Sequence, residues 1–315
     1  MESVKRKLLE QLAVSTGHIP AEKLAEDLGV PRAVVERLAE ELRGEGYPVE
    51  SSPELGYRLA VGDNLEEAGR YAGALDTSMA FSVHFLEACT STQDVAAALA
   101  RRGAPEGTLV VAEEQTRGRG RLGRAWTSLR GGLWFTLVLR PPELSAAHLL
   151  SLALGVAVAR AVRAYGVDAR LKWPNDVLAE GRKLAGILVE GESGGGAHFL
   201  LAGIGVNVNN ELPPELGTSA TSLRELLGRP VPRVPLLLRI LREVDRIYSK
   251  LREEPGGVLS EWKKLSSTLG RRVRVITLNG VHEGLAVDVD DNGGLVVEAE
   301  GRRATFYAGD VVHLR

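Results

Sequence analysis

Arginine alternates with glycine between Gln115 and Trp126, a pattern that could clamp and neutralise phosphate groups. The arginines stand at 117, 119, 121 and 124, and the glycines at 118, 120 and 123. Glycine allows the backbone to approach a ligand closely, and arginine binds phosphate oxygens in pairs. The spacing is not that of a P-loop and lacks its lysine, which argues against that class of NTPase. Taken alone, the pattern also fits an RGG-like nucleic-acid segment or a solvated basic loop.

A second segment, residues 172–190, combines two lysines with a Trp-Pro-Asn-Asp turn and an apolar run. Only 8 of the 39 basic residues are lysines, and between Leu24 and Ser249 the two lysines are Lys172 and Lys183. Lysine offers a compact point charge, so this pair suggests cations aimed at a carboxylate or an acyl phosphate. The turn adds an aromatic platform, an amide and a carboxylate, which suit a nucleotide and its metal. The alternative is two surface lysines before a buried strand.

The elements that must position these segments alternate between strands and helices from about residue 80 to 265, which predicts an α/β domain. The predicted strands are 81–86, 108–113, 133–139, 185–190 and 200–208. The predicted helices are 92–102, 146–165, 222–227 and 234–252, and a hairpin loop is predicted at 191–196.

The first 62 residues have the pattern of a winged helix-turn-helix domain. Gly29 ends one short amphipathic helix, Pro31 begins the next, and residues 47–59 alternate like a two-stranded wing. The alternative is a small helical domain that only packs or dimerises. Residues 1–62 carry 8 basic and 11 acidic side chains, which counts against DNA binding because phosphate contacts supply much of a DNA reader's affinity. Pro31, Arg32 and Arg37 are the predicted DNA-binding residues.

The predicted domain boundaries follow from these patterns. Residues 1–62 form the winged helix, 63–79 a linker or connecting helix, 80–266 the catalytic domain, and 267–315 a small β-barrel. The last segment contains short alternating strands separated by Asn279-Gly280 and by an Asp-Asn-Gly-Gly run at 291–294, which are turn sequences.

Composition limits the class of protein further. The 315 residues are 44% hydrophobic and 25% charged, with a net charge of −2, which excludes a disordered chain and a globally basic protein that coats nucleic acid. One cysteine, Cys89, excludes a disulfide framework, and the six histidines show no metal-ligand spacing. The apolar stretch 149–159 is too short to cross a bilayer, and Glu10 interrupts any signal-peptide core. We therefore expect a cytoplasmic protein.

Four segments, in order, resemble the signature motifs of biotin–protein ligases. They are GRGRLGRAW at 118–126, KWPNDV at 172–177, RKLAGILVE at 182–190 and GIGVNVN at 203–209, and the turn at 90–93 is similar to the family's threonine/serine turn. The flanking regions fit the bifunctional branch, which is both biotin ligase and biotin-operon repressor. The resemblance implies an α/β fold with an N-terminal winged helix-turn-helix, a central mixed-sheet catalytic domain of the biotin/lipoate-ligase type, and a C-terminal SH3-like β-barrel.

The chemistry that the resemblance implies has two steps. The biotin carboxylate attacks the α-phosphorus of ATP to give biotinyl-5′-AMP and pyrophosphate, and a carrier lysine then attacks the mixed anhydride and releases AMP. Such a reaction needs charge neutralisation and positioning more than a protein nucleophile. The implied substrates are ATP and biotin, with Mg²⁺. The implied partners are the biotin carboxyl carrier domain of acetyl-CoA carboxylase or a similar enzyme, operator DNA, and a second copy of the chain in a homodimer.

The resemblance also assigns roles to residues of this chain. The expected catalytic residues are Lys183, at the biotin carboxyl oxygen and the α-phosphate, and Arg121. The expected biotin-binding residues are Ser91, Thr92, Gln93, Gln115, Arg119, Gly120, Arg121, Lys183, Gly186, Gly203 and Gly205. The expected ATP-binding residues are Arg121, Arg124, Trp126, Lys172, Asn175, Asp176 and Asn207. Asp176 is also the expected Mg²⁺ ligand.

The sequence departs from the family at Leu122, where many bifunctional members have another arginine, and this change could alter how tightly the loop retains the adenylate. Three functions stay open: a ligase that also represses transcription, a ligase whose winged helix no longer reads DNA, and a member of another class. That other class is a ligand-sensing regulator without ligase activity or a lipoate-type acyl ligase. The intact arginine–glycine loop and both lysines argue against a loss of catalysis, and the Lys-Trp-Pro-Asn-Asp segment favours biotin over lipoate by resemblance.

Overall fold

The computed structural model describes residues 2–141, 147–194 and 197–314. Its first part is a winged helix-turn-helix, as predicted. The elements are α1 (Glu2–Ala13), α2 (Ala21–Leu28), α3 (Arg32–Gly44), β1 (Val49–Ser52) and β2 (Gly56–Leu59). Gly29 ends α2 in the left-handed conformation at φ 65°, which glycine adopts without steric cost. Pro31 precedes α3 as its N-cap residue, and β1 pairs antiparallel with β2 to form the wing.

Backbone contacts fasten this domain to the segment that follows it. That segment contains a 3₁₀ turn (Leu65–Glu67) and the short helix α4 (Ala68–Ala72). The Arg6 guanidinium donates hydrogen bonds to the carbonyl oxygens of Ala74 and Leu75. The Glu10 carboxylate accepts one from the backbone N–H of Asp76 at 3.1 Å. The winged helix is therefore packed against the body of the protein.

The central domain is built on a seven-stranded mixed sheet. Its elements are β3 (Ser82–Cys89), α5 (Thr92–Arg101), β4 (Thr108–Gln115), β5 (Leu133–Leu139), α6 (Ala147–Arg163), β6 (Arg170–Lys172), β7 (Asp176–Ala179), β8 (Arg182–Gly194), β9 (Ala197–Val206), α7 (Leu223–Leu227), α8 (Arg233–Glu253) and α9 (Pro255–Leu265). The strand order is β3-β4-β5-β9-β8-β7-β6. Strands β3 and β4 are parallel, and the other neighbours are antiparallel, which confirms the mixed sheet.

Helices cover both faces of this sheet. Successive side chains of a strand point to opposite faces, so Leu109 and Val111 of β4 pack in the main core, whereas Val110 packs in a second cluster. The second cluster contains Ala96 and Ala100 of α5. Helices α6 and α8 contribute buried aliphatic side chains to the main core. Burial on both faces explains why β4 and β5 read as almost continuous apolar runs.

The C-terminal part is a five-stranded antiparallel sheet, in agreement with the predicted SH3-like domain. Its strands are β10 (Arg272–Thr277), β11 (Gly280–Val289), β12 (Leu295–Ala299), β13 (Arg302–Phe306) and β14 (Asp310–His313), in the order β13-β12-β11-β10-β14. Val273 and Val275 of β10 are buried, whereas Arg272 and Arg274 are exposed. This alternation is that of a strand with one face on a core.

The structure differs from the sequence-based expectations at three places. No helix is predicted after residue 252, but Pro255 begins α9, where its missing N–H costs nothing. Strands β6 and β7 have three and four residues, too few for a periodic pattern. The predicted hairpin loop at 191–196 is wrong for residues 191–194, because β8 continues to Gly194 and pairs with β9. Residues 195–196 of this loop lie outside the described residues. The same holds for residue 146, the first of the helix predicted at 146–165.

None of the helices in the described part of the chain is long and apolar enough to cross a membrane.

Candidate active site

A cavity of about 450 Å³ lies between the central sheet and the C-terminal sheet. It brings together both chemically unusual segments, and it is lined by every residue predicted to bind biotin and by all but one of those predicted to bind ATP. The predicted residues that line it are Ser91, Thr92, Gln93, Gln115, Arg119, Gly120, Arg121, Arg124, Trp126, Lys172, Asn175, Asp176, Lys183, Gly186, Gly203 and Gly205. The sequence motifs therefore converge in space.

One end of the cavity is a buried polar network at the start of α5 and the end of β4. Gln115 Oε1 accepts hydrogen bonds from Thr92 N at 2.8 Å and from Thr92 Oγ1 at 3.1 Å. Gln115 Nε2 donates to Ser128 Oγ at 2.7 Å, and the hydroxyl oxygens of Thr92 and Thr136 lie 2.8 Å apart. Both ends of the Gln115 amide are thus committed, which fixes its orientation. Thr136 is a further lining residue that the motifs did not reveal.

The Trp126 ring lies against two glycines of neighbouring strands. A Cβ atom at Gly186 would lie 2.9 Å from Trp126 Cζ3, and one at Gly205 would lie 2.7 Å from Trp126 Nε1. Trp134 packs edge-on against the same ring, with centroids 6.2 Å apart. The Lys183 ammonium lies 5.0 Å from the Trp126 ring centroid. Both glycines are therefore needed for the ring to occupy this position.

The two lysines of the second segment approach one carboxylate. Lys183 Nζ on β8 forms an ion pair with Asp176 Oδ1 on β7 at 2.6 Å. The Lys183 backbone is held as well, because its N–H donates to the Ser219 carbonyl at 2.8 Å. Lys172 pairs with Asp176 in the β6–β7 ladder. Burial lowers the pKa of Lys172, which the nearby Asp176 charge opposes.

The arginine–glycine loop forms another part of the cavity lining. Arg119 is held by the carboxylates of Asp94 and Glu190, with Nη2 3.1 Å from Glu190 Oε2. Burial lowers the pKa of Arg119, but the charges of Glu190 and Asp94 outweigh burial and raise it. At the tip of the loop, Leu122 takes a left-handed φ of 56° and is 63% exposed. The loop thus turns Leu122 outward between two arginines that line the cavity.

Those two arginines contact the C-terminal sheet. Arg121 Nη1 donates to the Gly309 carbonyl at 3.2 Å and lies 3.5 Å from Asn175 Oδ1. Arg124 Nη2 forms an ion pair with Asp310 Oδ1 at 2.5 Å. Burial lowers the pKa of Arg121, and the Asp310 charge opposes that effect. In the described part of the chain Arg121 has no carboxylate within ion-pair distance, so its charge faces neutral carbonyl oxygens.

The contribution of the C-terminal sheet to the cavity is what sequence reasoning missed. Ile276, Asp310, Val311 and Val312 line the cavity, although they carry no motif. Asp310 lies 186 positions from its partner Arg124. No local signal marks these residues, because their role depends on how one domain docks on another.

Asn207 is the predicted ATP-binding residue that the structure places elsewhere. It is buried, its Oδ1 accepts a hydrogen bond from Asn210 Nδ2 at 3.2 Å, and its N–H donates to the Leu184 carbonyl at 2.9 Å. It supports the chain after β9 and is not among the lining residues, so this placement does not support the predicted nucleotide contact.

The predicted DNA-binding residues are exposed: Pro31 just before α3, and Arg32 and Arg37 on it. Both arginines face carboxylates of their own domain. Arg32 forms ion pairs with Glu22 and Glu36. Arg37 Nη1 lies 3.3 Å from Glu41 Oε1 in an ion pair, and Arg37 has at least one further interaction.

Mg²⁺ usually binds one or two carboxylates and completes its shell with water and substrate phosphates. The described residues contain no group of three or more His, Cys, Asp or Glu side chains that could hold a metal ion. Asp176, in the cavity beside two lysines, nevertheless offers one such carboxylate. The donor set fits a magnesium ion that arrives with a nucleotide rather than a resident metal.

Comparisons with known proteins cover all three parts of the chain. Family models match residues 85–207 as the biotin/lipoate A/B protein ligase family, residues 268–314 as the biotin protein ligase C-terminal domain, and residues 4–58 as an HTH domain.

Relatives and solved structures agree with these matches. The chain is 36% identical to the bifunctional ligase/repressor BirA of Bacillus subtilis over 99% of each chain. It is 33% identical to the Escherichia coli protein of that name, over 98% of this chain and 97% of that one. A structure of the Aquifex aeolicus biotin protein ligase in complex with biotin and ATP superimposes with a TM-score of 0.67 at 32% identity, and it covers 74% of this chain and 99% of that one.

Proposed function

The chain belongs to the biotin–protein ligase family, and on that basis we propose that it is an ATP-dependent biotin–protein ligase that also acts as a biotin-responsive repressor. The observation that carries the ligase activity is the convergence of Lys172, Lys183 and Arg121 on one cavity with a buried polar end. Cations fixed around a reacting centre stabilise the charge that develops during acyl and phosphoryl transfer.

In the first step, biotin binds at the polar end of the cavity formed by Thr92, Gln93 and Gln115. Its carboxylate attacks the α-phosphorus of ATP, an O–P bond forms, and pyrophosphate leaves. Lys183 neutralises the carboxylate and the α-phosphate and exchanges its Asp176 partner for these substrate anions. Arg121, whose charge meets no carboxylate within the described residues, stabilises the same centre. This step brings two anions together, so its barrier falls mainly through charge neutralisation.

The remaining nucleotide contacts come from other residues that line the cavity. Arg124 and Lys172 neutralise the phosphates, Asn175 contacts the nucleotide, and Trp126 packs near the adenine. We propose that Asp176 holds the Mg²⁺ that accompanies ATP, a role that one carboxylate can fill when phosphates supply the other oxygens. The ion would neutralise further phosphate charge.

In the second step, the ε-amine of a carrier lysine attacks the carbonyl carbon of biotinyl-5′-AMP. An amide bond forms, and AMP leaves with the carboxyl oxygen. The arginine–glycine loop, with Arg119 and Gly120, retains the adenylate until the carrier arrives. The proposed carrier is the biotin carboxyl carrier domain of acetyl-CoA carboxylase or of a similar biotin enzyme, in line with the similarity to the biotin–[acetyl-CoA-carboxylase] ligase of Mycobacterium tuberculosis.

The winged helix supports the repressor part of the proposal. Arg32 and Arg37 on α3, and Pro31 just before it, are exposed, where they would meet operator DNA. We further propose a cytoplasmic homodimer, because a dimer's twofold symmetry suits a twofold operator. The proposed domains are 1–62, a linker at 63–79, 80–266 and 267–315.

Biotin-dependent ATP–pyrophosphate exchange tests the ligase, with lipoate measured in parallel. We expect exchange with biotin and background exchange with lipoate. No exchange with biotin would refute the ligase, and equal exchange with both would assign a broader acyl ligase. For the repressor, we expect a salt-sensitive mobility shift of operator DNA that requires biotinyl-5′-AMP. If no shift occurs even at low salt, the chain is a ligase alone.

A further inference from the structure

Glu190 on β8 contacts two of the proposed biotin-binding residues at once. Its Oε2 atom accepts a hydrogen bond from Gln93 Nε2 at 2.9 Å and lies 3.1 Å from Arg119 Nη2. We propose that Glu190 is a positioning residue for biotin: it fixes the amide of Gln93 and couples that amide to the arginine–glycine loop. Glu190 itself is not among the lining residues. The proposal deepens the proposed ligase function and rests on it.

The contact with Glu190 decides which end of the Gln93 amide is free. Gln93 Nε2 donates to Glu190 and lies 3.4 Å from the Leu188 carbonyl oxygen. If the amide were reversed, its own carbonyl oxygen would face these two acceptors, which would repel it. The side chain therefore has one favoured orientation, with Nε2 toward β8.

That orientation leaves an acceptor at the edge of the cavity. Gln93 Oε1 is buried and has no hydrogen-bond partner among the described residues. It lies 3.2 Å from the position that a Cβ atom would take at Gly203, another lining residue. A buried acceptor without a partner is costly, so a ligand that brings an N–H donor beside Gly203 is favoured. The ureido ring of biotin carries two such donors, whereas the dithiolane ring of lipoate carries none.

The contact with Arg119 extends the same carboxylate to the loop. Arg119 is shared between Glu190 of β8 and Asp94 of α5, so the beginning of the loop is tied to both of these elements. A displacement of Glu190 therefore disturbs Gln93 and Arg119 together. Loss of Glu190 alone leaves Arg119 one carboxylate, whereas Gln93 loses the partner that sets its orientation.

Glu192 provides a matched control on the same strand. Its side chain is 41% exposed, against 42% for Glu190. It forms a two-point ion pair with Arg101, with distances of 2.7 and 2.5 Å, and the described structure records no contact from it to Gln93 or Arg119. Removal of Glu192 thus tests the loss of a strand carboxylate and its ion pair without the proposed effect.

The test measures KM for biotin, KM for ATP and kcat in pyrophosphate exchange for Glu190→Ala, Glu190→Gln and Glu192→Ala. We expect Glu190→Ala to raise KM for biotin about tenfold or more, since a misplaced buried polar group strongly weakens recognition, with KM for ATP within about twofold of wild type. Glu190→Gln should recover most of the affinity, because its carbonyl can still accept from Gln93 Nε2. Glu192→Ala should match wild type.

Three results would overturn the proposal: an unchanged KM for biotin in Glu190→Ala, an equal rise in both KM values, or the same rise in Glu192→Ala. If Glu190→Ala does not fold, Glu190→Asp replaces it, because the shorter side chain withdraws the carboxylate from both partners and keeps the charge. A wild-type KM for biotin in Glu190→Asp would then refute the proposed positioning role of Glu190. Wild-type protein without biotin-dependent exchange would instead refute the ligase function, so the two failures are distinguishable.

Discussion

Replacement of Lys183 by alanine tests the electrostatic basis of the proposed chemistry. Lys183 forms a 2.6 Å ion pair with Asp176, and both residues line the cavity. In Lys183→Ala the reacting carboxylate and phosphate lose a cation, and the Asp176 charge remains beside them without its partner. The substitution therefore removes an attraction and exposes a repulsion at the same place.

The expected size of the effect follows from Coulomb's law. Two unit charges about 4 Å apart in a site of effective dielectric constant about 20 interact by ~4 kcal/mol. Each 1.36 kcal/mol of barrier changes a rate about tenfold, so the loss corresponds to about 10³-fold in rate. Lys172 and Arg121 remain in the cavity, but in the described structure neither forms an ion pair with Asp176.

The assay is biotin-dependent pyrophosphate exchange. Lys263→Ala serves as the control, because it breaks another 2.6 Å lysine–aspartate ion pair, with Asp288, by a residue that does not line the cavity. We expect wild-type exchange in this control. Exchange above a tenth of wild type in Lys183→Ala would refute the reasoning.

Three further predictions address the cavity, the core and pH. Gly205→Ala places a Cβ atom 2.7 Å from Trp126, so we expect KM for ATP to rise about tenfold, given an overpacking cost of about 1–3 kcal/mol. The control Gly73→Ala, with open space around the residue, should leave KM for ATP unchanged. Equal KM values for ATP in the two variants would contradict the proposed packing. Arg233 is 4% exposed and forms ion pairs with Asp63 and Glu113, so Arg233→Met should lower the free energy of unfolding in urea by about 3–5 kcal/mol. A loss below about 1 kcal/mol would count against a structural role for these ion pairs. Burial lowers the pKa of His313 to about 4, so its contribution to stability is complete above pH 6.5 and is lost as the pH falls toward 4. For this half-buried ring we expect a loss of about 1–2 kcal/mol in the free energy of unfolding, which should be absent in His313→Gln. Parallel profiles of stability against pH for the two proteins would exclude this contribution.

The elements and residues near the motifs could be predicted from the sequence because their signals are local. Gly29 at the turn of the winged helix and the apolar run of β5 mark their own conformations. Lys183 stands out by charge type in a chain that is poor in lysine. Lys183 lines the cavity, β5 lies within the central sheet, and Gly29 ends α2.

The remaining features depend on long-range packing. Asp310 reaches the cavity only because the C-terminal sheet docks on the central domain, and no local pattern encodes that contact. Asn207 belongs to a motif that resembles the family's, yet its side chain bonds to Asn210, because a motif gives sequence position and not the direction of a side chain. Glu190 was hidden within an apolar strand motif, and its significance depends on the partners that the sheet brings to it.

The Arg124–Asp310 ion pair has a consequence for the order in which the protein becomes active. It joins positions 186 residues apart, and contacts of such separation have a large loop-closure entropy cost and slow folding. An intermediate with a folded central sheet but an undocked C-terminal sheet lacks one wall of the cavity. Such a species would expose any mixed anhydride it formed to water. Only the docked protein therefore shelters the intermediate, because the C-terminal sheet supplies one wall of the cavity.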